Sequence, residues 1–471
     1  MRKIKYTLLA LLLVVSFSCD KDFEEVNTDP NNPTSVPAHL LLGSIIRINQ
    51  NVLYGMQRGG DMGMCWGQHL SKVQYNSEAR YIPRRGVIDG IWDSLYASVI
   101  SDAQSMYELA QEEGNTNLMG AALVLQANAY QILVDLYGPV PFTEAITPGN
   151  NKPAYDSGET VYQGIIEMLT QAAGMFSADG GEITSTSDLL YAGDYSKWKK
   201  LANSLLFKAK MRSGNTGGLQ ALVGTMMQSN DDSAQIIYTA NDPDANPIFE
   251  TVVFGNRPEY KMGEPLVLLM ESLTDPRLQV YASPNASGVI LGKPAGYIDL
   301  PNEALGFTYA NISGMGDKYL DPMLPGVVLS YAQLKFLMAE AANEGYISGG
   351  TNGALAHYTE GITANFAFNE VDPTAYLAQE IISFSTQAEA RKKIAEQEWI
   401  ALFGQGFETW IEQRRTGFPE LDPAFEGDIS SIPTRLYYPT TENSLNQDNY
   451  EAAVATLSNG DELNSPVFWD N

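Results

Sequence analysis

Apolar residues recur at three- and four-residue steps between Ile88 and Ala110, through Ile91, Trp92, Leu95, Tyr96, Val99, Ala103, Met106 and Tyr107. That spacing places them on one face of a long amphipathic helix. After Gly114-Asn115 the pattern resumes at Leu118, runs to Tyr137 and stops at Gly138-Pro139, a pair that terminates helices. Two such helices across a short break predict a hairpin. The small residues Gly120, Ala121, Ala122, Ala127 and Ala129 let its members approach closely, as in tetratricopeptide-like pairs. Further helices are predicted at Glu159–Phe176, Ser196–Arg212, Leu329–Tyr346, Gly353–Phe366, Thr386–Phe403 and Phe407–Arg415. The fold class is therefore mainly α, built of tetratricopeptide-like helical pairs. Residues 230–325 break the pattern: they are rich in Pro, Gly, Asn and Asp, and short apolar runs such as Val252-Val253-Phe254 and Val289-Ile290-Leu291 suggest loops and small strands. We read them as a loop-rich insert. Loops on a helical scaffold are where binding surfaces usually lie, which directs attention there and to residues 60–85.

The N-terminus changes the compartment. Met1-Arg2-Lys3-Ile4-Lys5 precedes an apolar run from Leu8 to Val15, the pattern of a secretory signal peptide over residues 1–18. The run is shorter than the roughly 20 residues that span a bilayer. Ser16-Phe17-Ser18 suits an ordinary signal peptidase and Cys19 suits a lipoprotein peptidase; both cut before Cys19. We expect lipidation at Cys19, although Ser16 stands where the lipoprotein motif usually has an aliphatic residue. Residues 19–37, with Asp20, Asp22, Glu24, Glu25 and Asp29, then read as an acidic tether, leaving 38–471 as a single helical domain.

Charge and chemistry exclude several functions. The formal net charge is −27, and loss of Arg2, Lys3 and Lys5 with the leader takes it to −30, which excludes nucleic acid as a natural partner. Such a chain is held at an anionic membrane by a lipid, not by its charge. With only Cys19 and Cys65, no structural disulfide is expected, and Cys65 among Met62, Met64 and Trp66 reads as an inert buried thiol. His39, His69 and His357 are widely spaced, with no metal-ligand pair, nucleophile elbow or phosphate-binding loop around them. Gly59-Gly60 and Gly349-Gly350 read as turns. Glu396 and Glu398 leave different sides of a helix and read as solvated charges, not as a glycosidase pair. The stretch Asn241 to Asn246 lacks calcium-loop spacing and reads as a turn. We expect no enzyme, no cofactor and no metal.

What remains is aromatic content: six Trp, 25 Tyr and 17 Phe. Sugar rings stack on such side chains while amides and carboxylates take their hydroxyls. Residues 66–81 mix Trp66, Gln68, Gln74, Tyr75, Asn76, Arg80 and Tyr81 without helical regularity, so Trp66, Tyr75, Asn76 and Tyr81 are the candidate ligand wall. The competing reading is that these aromatics are core.

Several segments, in order, carry a resemblance to one family. Asp22-Phe23-Glu24-Glu25-Val26-Asn27-Thr28-Asp29-Pro30-Asn31-Asn32-Pro33 comes first, then Asp135-Leu136-Tyr137-Gly138-Pro139-Val140-Pro141-Phe142. Trp198-Lys199-Lys200-Leu201-Ala202-Asn203-Ser204-Leu205-Leu206, Asp275-Pro276-Arg277-Leu278 and Ala339-Glu340-Ala341 follow. Gln397-Glu398-Trp399-Ile400-Ala401-Leu402-Phe403, Trp410-Ile411-Glu412-Gln413-Arg414-Arg415-Thr416-Gly417 and Arg435-Leu436-Tyr437-Tyr438-Pro439 complete the set. Together they resemble the SusD/RagB family of Bacteroidetes nutrient-binding lipoproteins, in particular its SusD-like subgroup.

The resemblance implies an outward-facing, lipid-anchored position on the cell outer membrane and a TonB-dependent β-barrel transporter as partner, covered as by a hinged lid. The acids after Cys19 are similar to the surface-export signals of such lipoproteins. The expected function is capture of an oligomeric nutrient, a glycan before a peptide, for that transporter. The alternative is an interaction subunit that grips the barrel and adds little ligand affinity; a surface glycosidase comes last. On physical grounds most of these segments hold the fold. Asp135 and Tyr137 close a helix, Arg414 and Arg415 bond helix-end carbonyls or carboxylates such as Glu412, and Arg277 staples a loop.

Overall fold

A computed structural model describes residues 36–298, 303–379 and 382–470. The leader, Cys19 and the tether through residue 35 lie outside the described residues.

The chain begins with α1 (His39–Tyr54), which is followed by a buried π-helical segment, Met56–Met64. Gly59-Gly60 thus belongs to a helix and not to a turn. The reason is crowding: a Cβ on Gly59 would lie 1.8 Å from the Leu53 carbonyl oxygen, and one on Gly63 would lie 2.5 Å from the Gly406 backbone. The long helix expected from Ile88 is α2 (Arg85–Asp93), which continues through a π-type stretch, Ser94–Ile100, into α3 (Ser101–Glu113). Gly114 closes it in the left-handed conformation. Its hairpin partner α4 (Thr116–Tyr137) is buried at every position from Asn117 to Tyr137. Such a helix keeps its small residues for contact: a Cβ on Gly120 would come within 2.8 Å of the Phe176 ring. Next come α5 (Gly158–Met175) and α6 (Tyr195–Arg212), so that α3, α4, α5 and α6 pack in sequence. Later in the chain, α7 (Glu264–Ser272) lies in the insert, and α8 (Tyr331–Asn343), α9 (Gly350–Phe368), α10 (Gln387–Ala401) and α11 (Phe407–Thr416) rebuild the helical stack.

Strands are few and short among the described residues. β1 (Leu70–Lys72) pairs antiparallel with β5 (Tyr260–Met262), β2 (Val140–Pro141) with β3 (Tyr155–Asp156), and β4 (Ala234–Ile236) with β6 (Gly326–Leu329). The insert thus has strands, but not at the two apolar runs. Val252–Phe254 closes a π-type turn, with Phe254 exposed, and 289–291 is loop. Both runs were short enough that periodicity could not assign them. The main apolar core extends from α1 to Trp469, and a smaller cluster centres on Phe336, Tyr358, Ile362, Phe366 and Tyr376 between α8, α9 and α10. No helix among the described residues is long and apolar enough to cross a membrane.

The motif segments meet inside this scaffold. Asp135, at the end of α4, accepts hydrogen bonds from Tyr162 Oη (2.6 Å), Trp469 Nε1 (2.9 Å) and Arg212 Nη1 (2.5 Å). Arg212 also pairs with Glu408 and Glu412, Lys208 with Glu408, and Arg415 with Glu412 and Glu340. Arg414 Nη2 donates to the Asp135 carbonyl and Arg435 Nε to the Tyr137 carbonyl. Burial pushes the Glu408 carboxyl up, but Arg212 and Lys208 outweigh it and leave it well below the usual range. Arg277, fully buried, pairs with Asp275, donates to Asn365 Oδ1 and Gln397 Oε1, and lies 4.6 Å from the Phe366 ring centre.

Glu398 corrects the sequence expectation. It is buried, not solvated, and neither carboxylate oxygen has a hydrogen-bond partner. Burial, followed by Glu412, raises its pKa well above the usual value and so favours the neutral acid.

Candidate functional site

The segment after the π-helix is tied down by Trp66. Its Nε1 donates to the Glu78 carbonyl at 2.8 Å, and its ring meets Trp410 edge-on at 5.0 Å and Tyr81 at 6.2 Å. Trp66 is 0% exposed and Tyr81 is buried as well, its hydroxyl pushed up to about 12 by burial. The Asn76 side chain is buried too, with its backbone carbonyl accepting from Arg80 N. Of the four candidate wall residues, only Tyr75 reaches solvent, 55% exposed, at a left-handed φ of 55° and with Arg257 5.4 Å from its ring centre. The structure therefore does not bring the four together as a wall. Three of them fill the interior behind one, because the irregular segment is pinned to α11 and not laid on the surface.

What the segment does is carry two other loops. β1 pairs with β5, the Gly263–Lys293 bridge extends this pairing, and Ser71 Oγ donates to the Pro294 carbonyl. Tyr81 Oη accepts from Ala424 N at 2.7 Å, Arg80 Nε donates to the Glu426 carbonyl, and Gln68 Nε2 donates to the Asp422 carbonyl. The two loops then zip together, with Phe425 N and Glu426 N donating to the Ala295 and Gly296 carbonyls. Gly296, at φ +88°, permits this approach: a Cβ there would meet the Ala424 Cβ at 2.4 Å.

The result is an aromatic shelf. Tyr297 stacks on Phe425 at 4.6 Å and 16°, and Phe307 meets Tyr297 at 5.2 Å. Phe425 is 70% exposed, so the ring face turned away from Tyr297 is open to a partner. Lys293 Nζ lies 5.6 Å from the centres of both the Tyr297 and Phe307 rings. Two residues beyond Phe307, Tyr309 donates its hydroxyl to Gln74 Oε1 at 2.7 Å, while Lys261 Nζ donates to the Tyr309 carbonyl. Lys293 is fully buried and backs the rings from inside, while ring faces beside the Gln74 carboxamide and the Lys261 ammonium can stack the apolar face of a sugar and bond its hydroxyls.

A phenylalanine after Pro423-Ala424 and a tyrosine after Ala295-Gly296 carried no local signal for this. Cys65 is buried with its thiol pushed up by burial, and burial lowers His69 to about 3 while its ring packs 4.4 Å from Trp399. Among the described residues no group of three His, Cys, Asp or Glu could hold a metal ion. In the oxygen-rich stretch, Asp244 pairs with Arg47 and Asn246 Oδ1 caps the Ile248 amide.

A family model described as starch-binding and associating with the outer membrane matches residues 30–439. The chain belongs to the SusD-like family. Solved structures agree in fold. A SusD homolog from Bacteroides fragilis superposes with TM-score 0.80 at 24% identity, covering 93% of this chain and 100% of its own. A chitin-binding SusD homolog from Flavobacterium johnsoniae gives 0.79 at 22%, with 92% and 98% covered. A further chitin-binding protein gives 0.79 at 24%, with 92% and 99% covered. No curated protein matches the chain. As in the sequence reading, this SusD-like chain is mainly helical, and the family segments among its described residues lie in the scaffold rather than on the shelf.

Proposed function

We propose that the protein is a surface-exposed outer-membrane lipoprotein, anchored through Cys19, that binds an oligomeric glycan on the shelf and delivers it to a TonB-dependent β-barrel transporter. The observation that carries the binding step is the Tyr297–Phe425 stack with its open outer face. Family membership supports the outer-membrane setting, and the chitin-binding relatives support a glycan over a peptide. The shelf is a surface, not a closed pocket, which suits successive rings of a polymer. Nothing in this role requires bond cleavage.

Calorimetric titration of the mature protein against chitin and starch oligosaccharides, and against peptides of equal length, tests it. We expect one glycan series to bind and Phe425→Ala to weaken it about tenfold, the loss of one stacked ring. If neither series binds, the shelf has no ligand and the chain is better read as an interaction subunit of the transporter complex.

A further inference from the structure

A second hollow lies away from the shelf, where the β4–β6 ribbon meets the ends of α9 and α10. It has two chambers. The inner one, about 180 Å³, is lined by Gln235, Ser233, Ser330, Gln405, Val327 and Phe368, among others. The outer one, about 290 Å³, opens between Tyr331 and the Thr359–Thr363 face of α9. Asn230, Ala364 and Ala367 belong to both, and Asn230 Nδ2 donates to the Ala364 carbonyl at 3.0 Å, so this side chain forms the partition.

We infer that this hollow is a second binding site, for a single neutral sugar ring, independent of the shelf. The inner chamber is lined by carboxamides, hydroxyls and apolar groups, with no Asp, Glu, Lys or Arg among them. An acidic sugar or a free peptide terminus would bury its charge there uncompensated. Polar groups do face inward. Gln405 is only 8% exposed, yet its carboxamide nitrogen reaches just the Ala401 carbonyl, at 3.4 Å, and its oxygen accepts nothing from the protein. That oxygen opens on the chamber it lines, where water or a polar occupant can donate to it. Ser233 Oγ and Ser330 Oγ each accept one backbone N–H, from Tyr331 and Gln333, leaving their hydroxyl protons to donate. Phe368 and Val327 supply the apolar side that the less polar face of a pyranose covers. The inner chamber, about 180 Å³, is smaller than the few hundred Å³ of an ordinary ligand cleft, which limits an occupant of that chamber to about one ring.

The test is titration of the mature protein with glucose, galactose, mannose and N-acetylglucosamine, alongside galacturonate as the charged control, followed by calorimetry and ligand-observed NMR. We expect at least one neutral sugar to bind and galacturonate not to. Ala367→Trp, placed on the exposed surface of α9 where both chambers meet, should abolish that binding by filling the hollow. Gln405→Leu should weaken it about tenfold by leaving a sugar hydroxyl unpaired. Circular dichroism confirms that both variants fold, and Phe425→Ala should leave monosaccharide binding intact. The inference is overturned if no neutral monosaccharide binds, if binding survives Ala367→Trp, or if Phe425→Ala removes it. That last outcome would assign the sugar to the shelf and leave the shelf reading standing.

Discussion

The buried charge network and the aromatic shelf are made of opposite materials and answer to opposite constraints. In the network, Asp135, Arg212, Glu408, Glu412, Arg415 and Glu340 satisfy one another in the interior, where an unpaired charge is costly. At the shelf, Phe425 keeps most of its ring in water, stacked on Tyr297 by one face only. The difference teaches that most of the segments easiest to recognise in the chain serve the fold, while the shelf proposed to bind a ligand is assembled from residues that no such segment contains. A variant in the network should therefore cost stability, and one on the shelf should cost affinity.

The largest break in that contrast comes from Arg212→Met. It leaves Asp135, Glu408 and Glu412 short of their common cation, and we expect about 3–5 kcal/mol of stability to be lost in urea unfolding.

Glu398→Gln acts in the other direction. The folded-state pKa of Glu398 is raised above the ordinary 4.5, so the folded chain keeps a proton that the unfolded chain gives up. Stability falls as pH rises from that value through the raised one. The amide variant removes that slope. Urea midpoints measured from about pH 5 to about pH 8 should show it gaining on the parent as pH rises, and parallel curves would mean that Glu398 is ionised in the folded protein.

Tyr81→Phe bridges the two regions. It removes the acceptor for Ala424 N behind the shelf, at a cost of about 1–2 kcal/mol in stability, and glycan affinity should fall several-fold although Tyr81 itself is buried. Smallest is Phe425→Ala on stability: the ring is mostly exposed, so the melting curve should shift by no more than about 0.5 kcal/mol in equivalent free energy while affinity drops. A large stability loss there would make Phe425 a structural residue and remove the main support for the shelf.

The helices were legible because burial of one face repeats every 3.6 residues. The span 88–110 falls within the observed 85–113, and 118–137 within α4. α1 was not assigned from the pattern. Trp66 and Tyr81 were candidate ligand residues in the sequence, where their aromatic character could not say whether they faced ligand or core; the structure buries both. The answer depended on Trp410, more than 300 residues away, offering an edge to pack against. The same holds for Glu398, whose helix position suggested solvent until Glu340, Glu412 and Arg415 closed around it.

By itself the sequence determined the helical class and the closeness with which α4 could be packed. Those are local properties, written in periods, small residues and short motifs. The tertiary structure alone decided where a ligand could sit. The shelf joins Tyr297, Phe307 and Phe425 through backbone bonds such as Glu426 N to the Gly296 carbonyl, and the second hollow joins β4, β6, α9 and α10. Contacts between segments more than a hundred residues apart are set by how the whole core closes, and no local period in the chain records them.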